Sequence, residues 1–547
     1  MRRQRGKQVL TEIAKSSAQV NPGMNPLHPA TELETNADNR LFDVEHLKDG
    51  LKERSIRGGA ITLTAQVARL VVRTGATVVL ARLLSPEEFG IVGMVMAIAG
   101  FAFLFKDLGL SAAIVQGSHI NHAQMSALFW LNALAGVMIS LIVAASGPII
   151  AAFYREPRLV PVTAALSICF VFSGLSVQQR ALLQRNMRFT ALAVVNIVGL
   201  ASGVVVAIIA ALLGAGYWAL VGMDVTIPAA GMVCAWVVAR WRPGWPRWRT
   251  GIRRMLAFGK DLSLYRVVNY FARSVDRMLL GRYFGSDVLG LYGRAYALFL
   301  QPMNQIVTPL ATVGLPGLSR LNDDPTRYRR YYVHLVGLVA FFSMPLAVFL
   351  AVFSKEVIAV LLGSQWTEAS RIFLVLATVA VILPAWQTVH LVMLSTGQSG
   401  RLLRFGFANS VLVVVSFALG LPWGAVGVAA GYAVAEYLIL PAGLWYCLKG
   451  SPVRPRDFLR GVARPVAASL AMGAVLAGAR YGIPGDHPFL LLPVFFVLGT
   501  LTYLLIWTSL PGGRRGLREM VGHIRLLLPA RPTLGQVGHG TPNELCT

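Results

Sequence analysis

The segment ARLLSPEEFGIVG at residues 81–93 is answered two hundred residues later by GRYFGSDVLGLYG at residues 281–293. In and around these segments, without a gap, Arg73 falls on Arg273, Leu80 on Leu280, Arg82 on Arg282, Gly90 on Gly290, Gly93 on Gly293 and Ala97 on Ala297. Each segment reads as the end of one apolar helix, a tight turn and the start of the next. Shared apolar composition does not by itself align arginines with arginines and glycines with glycines. The match therefore marks a duplicated structural unit.

The chain around the two turns has 547 residues, of which 55% are hydrophobic and 14% charged, and its mean hydropathy is +0.60. A globular surface needs nearer a quarter of its residues charged, which excludes an ordinary soluble enzyme. Apolar runs of the ~20 residues that cross a bilayer recur between Gly58 and Leu510. Fourteen candidate spans fall near 58–84, 89–115, 124–148, 159–178, 189–213, 215–239, 257–284, 288–316, 332–354, 369–394, 403–421, 424–447, 461–479 and 489–509. The expected fold is thus an all-α polytopic membrane protein with about 14 transmembrane helices. The matched segments close spans one and seven, which run in the same direction, so the repeat is parallel. It describes two pseudo-symmetric six-helix lobes around a central cavity, with two extra C-terminal helices.

The corresponding division is a cytoplasmic tail at 1–56, an N-lobe at 57–240, a basic linker at 241–256, a C-lobe at 257–448, two further spans within 449–510 and a basic tail at 511–547. In the first tail, Leu41, Val44, Leu47 and Leu51 recur at helical spacing among charged residues and suggest a surface helix. That tail holds no apolar run like a cleavable signal, so the first span is expected to serve as the targeting element.

Lys and Arg number 50 against 25 Asp and Glu, a formal charge of +25. With the N-terminus inside, the inner loops collect groups such as Arg180, Arg185 and Arg188, Arg240 to Arg254, Arg320 to Arg330 and Lys449 to Arg464. The outer turns hold only Arg82, Arg155, Arg158, Arg282, Lys355 and Arg480. Both ends are therefore expected in the cytoplasm, and topology accounts for the basic excess without any nucleic acid partner. Cys169, Cys234, Cys447 and Cys546 have no metal spacing. No Gly-rich phosphate loop, zinc motif or catalytic triad pattern stands in the chain, so neither cofactor, metal nor enzymatic activity is expected.

Charged side chains within spans each require a partner, a water-filled cavity or a function. In span one, Thr62, Gln66, Arg69, Arg73 and Thr77 succeed one another by three or four residues and share a helix face. Span seven repeats the device with Arg266, Asn269, Arg273 and then Asp276 or Arg277. Two such stripes at equivalent places are best served by a wet space between lobes. The deep carboxylates Asp107, Asp224, Asp261, Asp276 and Glu436 are few, so some guanidinium groups are expected to remain for an external anion. Arg73 and Arg273 lead that reading, whereas pairing explains Arg69 and Arg266 equally well. A guanidinium suits a phosphate ester, because it stays ionised and offers a planar fork of donors. Asp276, Asp224 and Glu436 read either as ion-coupling carboxylates or as structural partners of the arginine face. Gln301, Asn304 and Gln305, with Gln387 and His390, could line the same space or bond between helices.

The turn LLSPEEFG at 83–90, DLGLSAAIVQ at 107–116, the run NYFARSVDRMLLGRYFGSDVLGLYGRAYAL at 269–298, LPGLSRL at 315–321 and LLGSQW at 361–366 resemble bacterial polysaccharide exporters. Over roughly residues 55 to 450 the chain is similar to Wzx-type flippases, the polysaccharide transporter family of the multidrug/oligosaccharidyl-lipid/polysaccharide superfamily. The resemblance implies two six-helix lobes, a central cavity and alternating access in the bacterial inner membrane. It implies an undecaprenyl diphosphate-linked glycan as substrate and polysaccharide polymerase and copolymerase proteins as partners, besides membrane lipids. Cavity arginines of the first helix, here Arg69 and Arg73, with Arg273 as the repeat-related candidate, would hold the diphosphate. Two other classes compete. A cation-coupled drug exporter should have an acidic and aromatic cavity, and a membrane glycan polymerase or glycosyltransferase needs a sizeable outer catalytic loop. Here the longest outer stretch, near Phe353 to Ala369, holds only Lys355, Glu356 and Glu368.

Overall fold

The computed structural model describes residues 51–105, 114, 121–245, 270, 274–482, 488–511 and 513–514, and among them every regular element is helical. Backbone N–H and C=O groups find no partners in lipid, and a helix satisfies them within itself. The first half contains α1 (Leu51–Leu83), α2 (Pro86–Ala99), α3 (His122–Ala145), α4 (Gly147–Tyr154), α5 (Leu159–Arg185), α6 (Phe189–Leu212) and α7 (Tyr217–Ala239). Next come α8 (Val275–Arg320), α9 (Pro325–Val352), α10 (Ser354–Leu361), α11 (Ala369–Ser395), α12 (Ser399–Gly420) and α13 (Gly424–Leu448). Two more, α14 (Pro455–Gly482) and α15 (Pro488–Ser509), end the described chain.

Local sequence sets the starts of these helices. Ser85 caps α2 in a capping box with Glu88, with Pro86 in the first turn, and Asn121 caps α3 in the same way with Gln124. The Asp324 carboxylate accepts from Thr326 N and Arg327 N, each at 3.0 Å, at the head of α9.

Among the described residues ten segments are long and apolar enough to cross a membrane, so the chain is a multi-pass membrane protein; one of the ten, Ser399–Leu448, carries both α12 and α13. Helices α1 and α8 are long enough but less apolar, because they carry Arg69, Arg73 and Arg82 and Arg294, Gln301, Asn304 and Gln305. Several expected bounds shift. The span expected at 89–115 leaves α-geometry at Ala99 and continues as a 3-10 turn, Gly100–Phe105. The turn expected between 284 and 288 shrinks to Gly285 alone, at φ 84 and ψ −175, a conformation open to glycine and costly for other residues. Arg180 and Arg185, expected in an inner loop, lie inside α5, which runs on because both side chains find acceptors: Asn196 Oδ1 at 2.8 Å and the Ile114 carbonyl at 2.8 Å. Most of the span expected at 257–284, the surface helix of the N-terminal tail and the C-terminal tail fall outside the described residues.

The two halves meet where the aligned turns lie. A Cβ built on Gly90 would stand 1.7 Å from the Ser286 carbonyl oxygen, and one on Gly290 would stand 1.9 Å from the Pro86 carbonyl oxygen. Pro86 and Ser286 are equivalent in the repeat, as are Gly90 and Gly290, so the contact is reciprocal about a local two-fold axis. Only glycine lets two helix backbones approach this closely. The stretch after α9, expected as a plain loop, folds into α10 and the 3-10 turn Ser364–Trp366 and grips the end of α1. Trp366 Nε1 donates to the Ala81 carbonyl at 2.7 Å, Arg82 Nη2 donates to the Val360 carbonyl at 2.8 Å, and the Phe89 and Trp366 rings meet edge-on at 5.4 Å. Beside them Arg158 bridges Glu87 at 2.7 Å and Glu156 at 2.8 Å, and its hydrogen bond holds the Glu156 carboxyl below the usual range. Helices α14 and α15 pack outside on α9 and α10, with Phe349 and Phe353 against Phe496 and Phe495.

The glycine crossing can be tested directly. Gly90→Ala and Gly290→Ala push a methyl into backbone that no rotamer change can relieve, so each should destabilise the protein by about 1–3 kcal/mol and lower its melting temperature in detergent. Gly406→Ala, with nothing within 4 Å of its Cβ, should leave the melting temperature unchanged. Parental melting of the Gly90→Ala variant would mean that the two backbones do not touch.

Candidate functional site

A cavity of about 1000 Å³ opens between the two halves, at the upper end of the ~300–1,000 Å³ typical of ligand sites. Helix α1 brings Gln66, Arg69, Arg73 and Thr77 to its wall, one face of the helix by their spacing. Helix α6 supplies Asn196, Leu200 and Val204, helix α7 supplies Met223, Asp224 and Ile227, and helix α2 supplies Phe89, Val92, Gly93 and Met96. The opposite wall is α8, which presents Arg294, Ala297, Gln301, Asn304, Gln305 and Thr308 along one stripe, with Arg277 nearer its start.

The charge of this wall is strongly asymmetric. Four arginines, Arg69, Arg73, Arg277 and Arg294, face it with one carboxylate, Asp224, among the described lining residues. Asp224 lies within electrostatic reach of Arg294 and Arg73, which therefore share it from opposite halves. Among the described residues neither Arg69, Arg73 nor Arg294 is locked in a direct ion pair. The Arg294 guanidinium instead lies over the Phe89 ring, 4.4 Å from its centroid, a contact that orients a cation without neutralising it. The Thr77 hydroxyl donates to the Arg73 carbonyl at 2.9 Å, satisfied within its own helix. A wall with this excess of fixed positive charge favours a multiply charged anion over a cation.

Residues expected from the sequence divide into three groups. Gln66, Arg69, Arg73, Asp224, Gln301, Asn304 and Gln305 stand on the wall. Arg266, Asn269 and Arg273 lie outside the described residues. Asp276, Glu436, Gln387 and His390 stand off the lining. Asp276 is buried, accepts from Tyr292 Oη at 2.9 Å and from the Arg277 backbone N–H at 2.8 Å, and has Arg277 Nε at 3.9 Å. Glu436 is buried in α13, and His390 packs its ring on Trp386 at 5.9 Å.

Arg294 and Asn196 were not read from the sequence. For Arg294 a signal existed, since it lies seven residues before Gln301 on the helix face of Gln301, Asn304 and Gln305. For Asn196, one amide in a strongly apolar helix, there was none.

Comparison with known proteins adds four matches. A family model described as polysaccharide biosynthesis protein covers residues 79–371. Teichuronic acid biosynthesis protein TuaB of Bacillus subtilis is 26% identical over 388 residues, 69% of this chain and 79% of that protein. Lipopolysaccharide biosynthesis protein WzxC of Escherichia coli is 23% identical over 445 residues, 78% of this chain and 89% of that protein. Among solved structures, the lipid II flippase MurJ in an inward closed conformation superposes with a TM-score of 0.67 at 15% identity, covering 82% of this chain and 98% of that one. At that identity the likeness is one of fold.

The cavity itself is open to a chemical test. A thiol placed on the wall by Gln301→Cys should react with small methanethiosulfonates, whereas Ala295→Cys, on a fully buried face of α8, should stay unlabelled. Adding Arg294→Gln to Gln301→Cys should slow the anionic reagent by about fivefold and speed the cationic one by about the same factor. That is the ~1 kcal/mol expected of one charge about 10 Å away at an effective dielectric of roughly 40. An unchanged ratio would show that Arg294 does not set the potential there.

Proposed function

The chain belongs to the polysaccharide biosynthesis protein family, and from that premise we propose that it is a flippase for a lipid-linked glycan. The substrate is an undecaprenyl diphosphate-linked oligosaccharide, a repeat unit of exopolysaccharide or O-antigen, carried across the bacterial inner membrane by alternating access. One observation carries this reading: Arg69 and Arg73 from α1 and Arg294 from α8 converge on one cavity with Asp224 as the lone described carboxylate. A diphosphate is the lipid-borne group that such a wall would favour, because its paired anionic oxygens match several guanidinium forks at once.

In this mechanism the head group enters the cavity sideways while the isoprenoid tail stays in lipid between spans. The arginines hold the diphosphate, and the lobes at 57–240 and 257–448 rock about the glycine crossing, presenting the glycan on the far side. Arg273, which aligns with Arg73 in the sequence, is the repeat-related candidate for the same grip, and Arg266, Asn269 and Gln66 are further candidate substrate-binding residues. No covalent bond changes. With both termini in the cytoplasm and the cell interior negative, outward movement of each net negative charge is favoured by ~2.3 kcal/mol per 100 mV. Asp224 neutralises part of the arginine charge in the empty cavity and is the carboxylate best placed for a coupling ion. The remaining positive wall disfavours a cationic drug. Polymerase and copolymerase proteins would take the glycan on the outer face.

Depletion of the protein in its host should cause undecaprenyl-linked oligosaccharide to build up on the cytoplasmic side. If none accumulates and polymer output is unchanged, the assignment is wrong. Arg73→Ala should cut export at least tenfold with normal membrane abundance, and Arg73→Lys should restore part of it, since lysine keeps the charge but loses the fork. Full export by the Arg73→Ala and Arg294→Ala double variant would remove the proposed grip.

A further inference from the structure

Behind the cavity wall lies a polar contact that the arginine grip does not use. Arg180 of α5 donates from Nη1 to Asn196 Oδ1 of α6 at 2.8 Å. Its other terminal nitrogen occupies the space left by Gly231 of α7, where a Cβ would come within 2.6 Å of it. Three helices are thus shaped around one part-buried guanidinium, and among the described residues no carboxylate pairs with it. Placing a charge with no carboxylate partner at the junction of three transmembrane helices is costly, which points to a role for its bond.

The chemistry of that bond decides which way Asn196 points. A guanidinium has donors only, so the amide oxygen must face Arg180 and the amide nitrogen must face away. Asn196 is itself a lining residue of the cavity. Its Nδ2 makes no hydrogen bond among the described residues, nor is it a sealed polar atom inside the packing. An amide usually offers both a donor and an acceptor; here the oxygen faces Arg180 and the two N–H donors remain. The arginines on the same wall are donors as well.

We propose that Asn196, held in orientation by Arg180, is a specificity-determining donor that hydrogen-bonds an acceptor oxygen of the lipid-linked head group. Arg180 is the positioning residue: it reaches no substrate and acts by denying Asn196 its other orientation. Gly231 is the space that lets it do so. The inference rests on the flippase reading and adds to it a group outside the arginine stripe. The oxygen read by Asn196 belongs either to the diphosphate or to the first sugars, and both are acceptor-rich.

The test separates recognition from packing. Asn196→Asp keeps an acceptor for Arg180, and indeed pairs its charge, so membrane abundance and melting temperature should equal or exceed the parent's. The second carboxylate oxygen, however, turns the cavity face from donor to acceptor. Export in cells should fall about tenfold or more, as when a site built for one hydrogen-bonding sense meets the other. Arg180→Met with Asn196→Leu removes the pair and strands no charge, and it should fold normally but export poorly. Two probes bound to the purified full chain locate the oxygen: undecaprenyl diphosphate alone, and the host's own undecaprenyl diphosphate-linked glycan. If Asn196→Asp weakens both alike, the donor reads the diphosphate; if it weakens only the second, the donor reads the sugars. Parental export by Asn196→Asp, with both probes bound as in the parent, overturns the proposal. Should Arg73→Ala abolish export in that same assay, the grip stands and only the Asn196 role falls; should Arg73→Ala also export normally, both fall.

Discussion

A guanidinium group stays charged at any pH a cell meets, and acyl chains offer it neither water nor a partner. That constraint organises the molecule. Arg69 and Arg73 on α1 and Arg294 on α8 sit within helices long enough to cross the bilayer, and they reduce the apolarity of those two helices below that of the ten clearly lipid-compatible segments. Such helices are tolerated only if their charged faces turn toward a wet interior. The cavity is where these faces meet, and its existence follows from the cost of placing arginine anywhere else at that depth.

Keeping such a cavity open requires the two halves to be joined elsewhere. The join is narrow and made of backbone: Gly90 against Ser286 and Gly290 against Pro86, a reciprocal crossing that brings α2 and α8 together at the aligned turns. Trp366 and Arg82 lock the neighbouring end of α1 to the segment after α9 through carbonyl contacts. Small residues pack closely at this crossing, and charged and polar side chains of α1 and α8 line the cavity between the halves. Two of the five stretches that carry the family resemblance, residues 83–90 and 361–366, are in contact: the Phe89 and Trp366 rings meet, and Gln365 Nε2 donates to the Leu84 carbonyl at 3.1 Å.

Polarity inside the cavity is biased toward donors. Arginine can only donate, and the Asn196 amide, its oxygen bound by Arg180, is left to do the same. Asp224 stands against this bias as a carboxylate shared between Arg73 and Arg294. Asp276 and Glu436, which resemble Asp224 in sequence terms, are buried away from the wall, Asp276 accepting from Tyr292 and from the Arg277 backbone. Three carboxylates within apolar helices thus have different surroundings, set by what packs against each.

Most helix positions among the described residues and the arginine stripe of α1 were legible in the chain alone, because each depends on local periodicity and composition, and the two-hundred-residue repeat was legible as an ungapped match of sequence with itself. So was the stripe of Gln301, Asn304 and Gln305, although Arg294 at its head was overlooked among its tyrosine and glycine neighbours. What only the tertiary structure decided is which polar groups share a space. Asp224 faces the cavity while Asp276 and Glu436 do not; the turn at 285 is a single residue; residues 353–369 form a clasp rather than a loop; and Asn196 is turned by an arginine sixteen residues before it. These outcomes come from contacts between helices whose rotation about their own axes is set by packing. No pattern within one helix encodes that rotation relative to a neighbour far along the chain.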